Sequence, residues 1–337
     1  MTTLVPIHDQ AGIEQLRREL RLDPIAVRRL RGDLLRRFLS DEAALAHFPA
    51  GDRVALHTLE LFRRQDSAVD GASKLLLRTA DGLLLESVIL RPQTGRTTVC
   101  VSSQVGCAAA CQFCASGQMG LARNLAAEEI LDQVVLAGQM LANERQRLRN
   151  VVFMGMGEPF HNERQLWLAL ETLLAREFFD LSPRKVLIST VGIPDAMLRC
   201  AARFPQVNLA LSLHSVRQEV RQRLMPLADK HPLDELREAI VELNAAGKRV
   251  MLEYLLLAKE NDAPQDAREL IAWTRGLNVH INLIPLNPID DAPRLAGSDA
   301  ATRTAFASQL KAAGLATTVR YSLGNDIAAA CGQLARR

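Results

Sequence analysis

Residues 100–117 read CVSSQVGCAAACQFCASG, and four of the chain's six cysteines fall among them. Cys107, Cys111 and Cys114 form a C-x3-C-x2-C run of three soft ligands. Structural metal sites usually take four ligands. The three thiolates can hold zinc with a fourth ligand from elsewhere, for which His214 or Cys200 is available. They can instead hold three irons of a four-iron cluster and leave one iron open. An open metal position implies a catalytic site, by the logic that separates catalytic from structural zinc. Zinc knuckles and ribbons usually show two C-x-x-C pairs, and the sequence has no second pair. Cys100, upstream of the run, fits no ligand spacing.

A second group with chemistry in it is Glu86, inside LLLESVIL. On a strand it shares a face with Leu84, Val88 and Leu90. A carboxylate among apolar neighbours has a raised pKa and suits proton transfer. On an edge strand the same residue faces water. Further polar residues cluster just after apolar runs: Gly155, Gly157 and Glu158 after NVVFM, Ser189 and Thr190 at the end of KVLIS. Ser212 and His214 end VNLALSL, and Asn287 follows VHINLIP. Strand C-termini carry the ligand site in βα folds. Glycines let backbone approach a ligand closely, and Glu158 is placed to accept a hydrogen bond from an ammonium group.

The elements that must position these residues follow from periodicity. From residue 97, apolar runs of strand length alternate with amphipathic segments such as AAEEILDQVVLAGQML and PLDELREAIVELNAAG. This alternation implies a parallel sheet, open or curled into a barrel. Before it, KLLLRT and LLLESVIL flank Asp81-Gly82, a strong hairpin signal. Residues 1–70 read as helical. Asp23-Pro24 is an N-cap followed by proline at the first helical position; Leu30, Leu34 and Phe38 recur at helical spacing. A third helix is expected over Arg53–Arg64.

Charge and length bound the rest. The 337 residues suit one large domain, or one large and one small. A net charge of +3 says little, but residues 17–37 hold eight arginines against three acids. That run is a solvated helix face or an electrostatic footprint for nucleic acid. No run of eighteen apolar residues exists, so no transmembrane helix is expected. The N-terminus lacks a signal-peptide pattern, which makes a cytoplasmic chain the expectation. In that compartment clustered cysteines point to metal or redox chemistry rather than structural disulfides.

C-x3-C-x2-C with an aromatic residue just before the last cysteine resembles the radical S-adenosylmethionine (SAM) superfamily, in which SAM chelates the open iron. The segments CVSSQVGC…C…C, FMGMGEP, LSPRKVLIST, ALSLH, INLIPLNP and NDIAAACGQL together closely resemble the RlmN/Cfr family of radical-SAM RNA (adenine) methyltransferases. The resemblance covers about residues 75–334. It implies an α/β fold, a radical-SAM partial (β/α)6 barrel. Residues 1–70 are then a small helical basic domain and a candidate RNA contact, 71–96 a β-hairpin extension, and 97–337 the core with a C-terminal catalytic-cysteine segment.

The same resemblance implies the site. Cys107, Cys111 and Cys114 match the ligands of a [4Fe-4S] cluster. Gly157, Glu158, Ser189, Ser212, Leu213, His214 and Asn287 fall on positions that contact SAM. Cys331 matches a cysteine that carries a methyl group, Cys100 a second essential cysteine, and Glu86 a proton acceptor. The implied reaction uses two SAM molecules to methylate carbon 2 or carbon 8 of an adenosine, in 23S rRNA or also in tRNA. It passes through an S-methylcysteine and ends in a Cys100–Cys331 disulfide that must be reduced. The implied partners are RNA and an electron donor such as flavodoxin, for a monomeric protein. Other readings are a radical-SAM enzyme with a non-RNA substrate and a zinc-bound RNA-binding module. Leu323 stands where many family members have arginine or an aromatic residue. Cys200 matches no motif and reads as structural. Trp167 and Trp273 read as packing residues.

Overall fold

The computed structural model describes residues 4–289 and 295–335. The apolar runs become strands of one ten-stranded sheet: β1 (Leu59–Asp66), β2 (Ala72–Thr79), β3 (Leu84–Leu90), β4 (Thr98–Cys100) and β5 (Asn150–Phe153). They continue as β6 (Val186–Thr190), β7 (Asn208–Ser212), β8 (Val250–Leu256), β9 (Val279–Pro285) and β10 (Thr317–Val319). Their order in space is their order in the chain. β1 to β4 run antiparallel to one another, and β4 to β10 are all parallel. Helices cover the parallel part, among them Ala127–Asn143, Glu163–Leu174, Leu233–Ala245 and Pro264–Trp273. Parallel strands buried on both faces read as continuous apolar runs, which is why β8 is buried at every position except Met251. This is the expected α/β partial barrel.

Two expectations about the N-terminal part need correction. The hairpin of β2 and β3 forms around Asp81-Gly82, with Gly82 at φ +81, but the extension has three strands, because β1 pairs with β2. The expected helix over Arg53–Arg64 does not exist. Gly51–Arg53 is one 3-10 turn, and β1 follows. Leu56 and Leu59 are buried, and that spacing mimics a helix face. The deciding partner lies far along the chain. Asp132, fully buried on the helix Ala127–Asn143, accepts the backbone N–H groups of Thr58 and Leu59, both at 2.8 Å. Donors that a helix would use internally are taken by this side chain.

The preceding helices behave as read. Asp23 caps Pro24–Arg31 by accepting from Ile25 N at 2.8 Å, and Leu30 and Leu34 are buried. Phe38 lies past the helical stretch at φ 53, with its ring against Gly138. A Cβ at Gly138 would stand 2.3 Å from that ring, so only glycine leaves the notch. Ile13, Leu16, Leu30 and Leu34 belong to the same hydrophobic core as the sheet. His57 adds a polar anchor: Nδ1 lies 2.7 Å from Asp132 and Nε2 2.9 Å from Asp41. Burial opposes its charge, but hydrogen bonds to Asp132 and Asp41 outweigh burial and raise its pKa to about 9.

Six of the eight arginines in the run have partners nearby, four of them sharing the two carboxylates of Glu14 and Asp33. Arg17 and Arg18 bond Glu14, Arg37 and Arg29 face Asp33, Arg31 lies over the Phe178 ring, and Arg36 donates to the Arg176 carbonyl. No described helix is long and apolar enough to cross a membrane.

Candidate active site

The cysteine run lies on a loop held at its base by a two-stranded ribbon, Gln104–Gly106 against Leu121–Asn124. Cys107 N donates to the Gly120 carbonyl at 3.0 Å, closing the loop. Gly117 packs on it so closely that a Cβ there would stand 2.8 Å from Cys111 N. Burial pushes the Cys107 thiol up to about 12 and raises Cys111 and Cys114 as well. Buried thiols of this kind need a compensating cation to ionise, which a coordinated metal supplies. Among the described residues, no three His, Cys, Asp or Glu side chains close around one ion.

The rest of that cavity is built from strand ends. Its volume is about 910 Å³ including its mouth, and it is lined by the three cysteines, Gly157, Glu158, Ser189, Ser212, His214, Asn287 and Cys331. The FMGMGEP turn is fixed from behind. Gln104 accepts from Glu158 N at 2.8 Å, and Ser102 Oγ accepts from Met156 N at 2.8 Å. A Cβ at Gly155 would meet Ser102 Oγ at 2.6 Å; one at Gly157, at φ +102, would meet Gln104 at 2.6 Å. These glycines therefore let the turn approach the chain that leads into the cysteine loop.

Glu158 accepts from Phe160 N and Val191 N at 3.1 and 2.8 Å. Burial raises its pKa to about 7 against these hydrogen bonds. Free lone pairs remain on both oxygens. His214 sits at φ 58, with Nδ1 accepting from Leu255 N at 3.0 Å. That bond fixes the proton on Nε2, and burial lowers its pKa to about 3, so the ring is a neutral donor. Phe113, the aromatic residue before the last cysteine, meets it edge-on at 4.8 Å. Leu213 departs from expectation. Its side chain is fully buried in the core and is not among the residues that line the cavity. The cavity thus offers sulfur at one end and a carboxylate, hydroxyls and an imidazole N–H at the other. These residues fit an iron–sulfur cluster with SAM.

Cys331 stands on the wall between this cavity and a second one of about 1470 Å³, lined by Cys100, Met154, Arg320 and Tyr321. The two cysteines expected to act together thus share a cavity. The segment carrying Cys331 is strapped over the cysteine loop. Ala115 N donates to the Gly332 carbonyl at 2.7 Å, Ser116 Oγ to the Leu334 carbonyl at 2.7 Å, and Asn287 to the Cys331 carbonyl at 3.0 Å. All six cysteines are free thiols. Cys100 ends β4, and burial, aided by Cys331, pushes its pKa up to about 12. The opposing charge is Arg320, whose own pKa is raised, most of all by Cys331. Its guanidinium lies 3.5 Å from Met154 Sδ and 4.0 Å from Glu253.

Glu86 is fully buried, so the water-facing alternative fails, but its surroundings are not only apolar. Lys74 Nζ lies 3.3 Å from Oε1, and Ala335 N donates to Oε2 at 2.8 Å. It lines a third recess with Gln333 and Ala335, apart from Cys100 and Cys331. Cys200 is buried on the helix Pro194–Arg203, away from all of these, and Trp167 packs on Phe160 and Phe204. Sequence reasoning missed Arg320 as a partner of the cysteines, and Glu253. A carboxylate inside the apolar run RVMLEYLLL was a signal of the kind noticed at Glu86. Ser102, Gln104 and Gln133 act through backbone bonds and carry no such signal.

Comparison with known proteins agrees with this geometry. Residues 101–271 match the radical SAM superfamily. A probable RNA methyltransferase of Rhodopirellula baltica is 57% identical over 326 residues, covering 96% of this chain and 86% of its own. A probable dual-specificity RNA methyltransferase RlmN of Thermus thermophilus is 45% identical, covering 79% of this chain and 75% of its own. The crystal structure of a radical SAM methyltransferase from Sphaerobacter thermophilus superposes with a TM-score of 0.93 at 37% identity, over 99% of this chain and 100% of that one. The chain belongs to the radical SAM superfamily and, within it, to the RlmN/Cfr family of methyltransferases.

Proposed function

We propose that this protein methylates carbon 2 or carbon 8 of an adenosine in RNA, with 23S rRNA as the main substrate and tRNA as a further one. It does so through a methyl group carried on Cys331. The observation that carries the reading is the position of Cys331, which faces the cysteine-lined cavity on one side and Cys100 on the other. The relatives' names, RNA methyltransferase and dual-specificity RNA methyltransferase, support the substrate class.

Cys107, Cys111 and Cys114 hold the cluster, and Gly157, Glu158, Ser189, Ser212, His214 and Asn287 bind SAM. Glu158 takes the ammonium group, and the neutral His214 offers Nε2–H. Cluster and SAM, when bound, supply a transferable methyl group from one SAM and, from a second, the radical chemistry that removes a hydrogen atom from an S-methyl group. Cys331 accepts the methyl through its sulfur, with Arg320 lining the same outer cavity. After loss of one hydrogen atom, its methylene carbon bonds the adenine ring and tethers RNA to protein. Glu86 accepts the ring proton, which requires the C-terminal segment between its recess and the Cys100–Cys331 cavity to move aside. The Cys100 thiolate then attacks the Cys331 sulfur. The sulfur–carbon bond breaks, its electron pair goes to the methylene carbon, which takes up a proton to become the methyl group, and methylated RNA leaves. The one unpaired electron of the adduct has by then returned to the cluster, and a disulfide remains for a cellular dithiol to reduce. A flavodoxin-like donor supplies electrons to the cluster.

The test is mass spectrometry of ribosomal and transfer RNA from a strain lacking this gene, with and without a restored copy. A methyladenosine that returns with the gene names the nucleotide and ring carbon; no change in either RNA sinks the reading. In addition, Cys100→Ala is expected to accumulate a covalent protein–RNA adduct, seen as a nuclease-sensitive gel shift. Free methylated RNA at normal yield would remove Cys100 from the scheme.

A further inference from the structure

The cavity that holds Cys100 and Cys331 continues outward. Arg91, Pro92 and Gln93 line it, and the same three residues line a neighbouring open recess of about 780 Å³. Arg145, Arg147 and Arg149 line the other side of that recess. Two loops build it, 91–97 before β4 and 144–149 before β5. They are stapled together: the Thr97 carbonyl accepts from Arg149 N and Asn150 N at 3.2 and 3.1 Å, and Thr97 Oγ1 donates to the Arg147 carbonyl.

Arg96, Arg145, Arg147 and Arg149 are exposed. None of the four forms an ion pair among the described residues. The acid on this edge, Glu144, is already bonded by Arg64 and Arg91 at 2.9 and 2.6 Å. The N-terminal run is different, because most of its arginines already have partners. At the mouth of the same cavity Tyr321 is 80% exposed, whereas both tryptophans pack against the core. An aromatic face left in solvent beside a row of unpaired arginines is the combination that binds unpaired RNA. Arginines neutralise phosphates, and the ring stacks a base.

We propose that the rim formed by Arg96, Arg145, Arg147, Arg149 and Tyr321 is the docking surface for the RNA substrate. The arginines hold the backbone, and Tyr321 stacks a base next to the adenosine that enters towards Cys331. This rests on the reading of RNA as substrate.

The test uses the full-length protein and a labelled twelve-nucleotide oligoadenylate, with affinity measured by fluorescence anisotropy across a salt series. Replacing all four arginines by glutamine (R96Q/R145Q/R147Q/R149Q) should flatten the plot of log affinity against log salt by about 3, at roughly 0.7 per phosphate on a single strand. Tyr321→Ala should weaken binding roughly tenfold at every salt concentration with the slope unchanged, and Tyr321→Phe should restore it. These are surface changes, and an unaltered thermal midpoint verifies the fold. An unchanged slope in the arginine variant, with wild-type protein binding the probe and methylating ribosomal RNA, overturns the rim and leaves the RNA reading standing. So does loss of the slope on R21Q/R28Q instead. Wild-type protein that neither binds the probe nor transfers methyl to RNA overturns both.

Discussion

The two cavities that meet at Cys331 are built differently. The inner one is made from ends of successive parallel strands and from one loop, the cysteine run. Its polar groups are pinned by backbone bonds: Glu158 by Phe160 and Val191, His214 by Leu255. The outer one is assembled from parts far apart in the chain: β3, the end of β4, the Arg320–Leu323 stretch after β10, and the C-terminal segment. The inner cavity is preorganised to hold a cofactor, which suits a group that must be fixed before reaction. The outer one is wider and sets the half-buried Arg320 against two thiols, which suits a macromolecule that arrives and leaves. Strand ends give rigidity, and junctions between distant segments give access.

Breaking the shared wall should have the largest effect. Cys331→Ala is expected to abolish methyl loading of the protein, read by intact mass, and RNA methylation with it. Loading that persists at another residue would separate the two cavities functionally. Next in size is Arg320→Gln, which touches the outer cavity. With burial holding Cys100 near 12 and its opposing charge removed, release of methylated RNA should slow by about tenfold or more, since each pKa unit is a tenfold change in thiolate. The rate should recover as the pH is raised, and Arg320→Lys should preserve most of it. A flat pH dependence of the defect would make Arg320 structural.

A smaller loss is expected on the inner side from Glu158→Gln. Exchanging a charge-assisted hydrogen bond for a neutral one should weaken SAM binding by about tenfold, corresponding to ~1.4 kcal/mol. Calorimetry on the cluster-loaded protein measures it, and release rates should stay unchanged. The smallest effect belongs to neither cavity. The pKa of His57 is raised from 6.5 to about 9, so its stabilisation is full below pH 6.5 and fades as the pH climbs through 9. His57→Gln should lower the melting temperature by a few degrees at pH 6.5, and the two melting curves should converge near pH 10.

The same contrast explains what the sequence disclosed. The cysteine run, the glycines of FMGMGEP and the polar strand ends are local patterns that spacing makes visible, and they come to line one cavity. Leu213 came from a family position alone, and its side chain lies in the core rather than on the cavity wall. The sequence left Glu86 open between burial and an edge facing water, and the residues around it, Lys74 and Ala335, come from elsewhere in the chain where no spacing announces them. The helix expected over Arg53–Arg64 failed for the same reason: Asp132 decides that backbone, and a pattern of leucines cannot reveal a distant carboxylate. Arg320 and Tyr321 lie in VRYSLGNDI, where neither period nor motif marks one as facing thiols and the other as facing solvent.

The sheet's strand order has a consequence for the timing of assembly. Because every strand lies beside its predecessor, the molecule can be wound up in the order in which the ribosome delivers it. The strap that carries Cys331 and closes over Cys114 follows all ten strands. On a chain delivered N-terminus first, the residues that cover the three thiols are therefore the last of the site to appear.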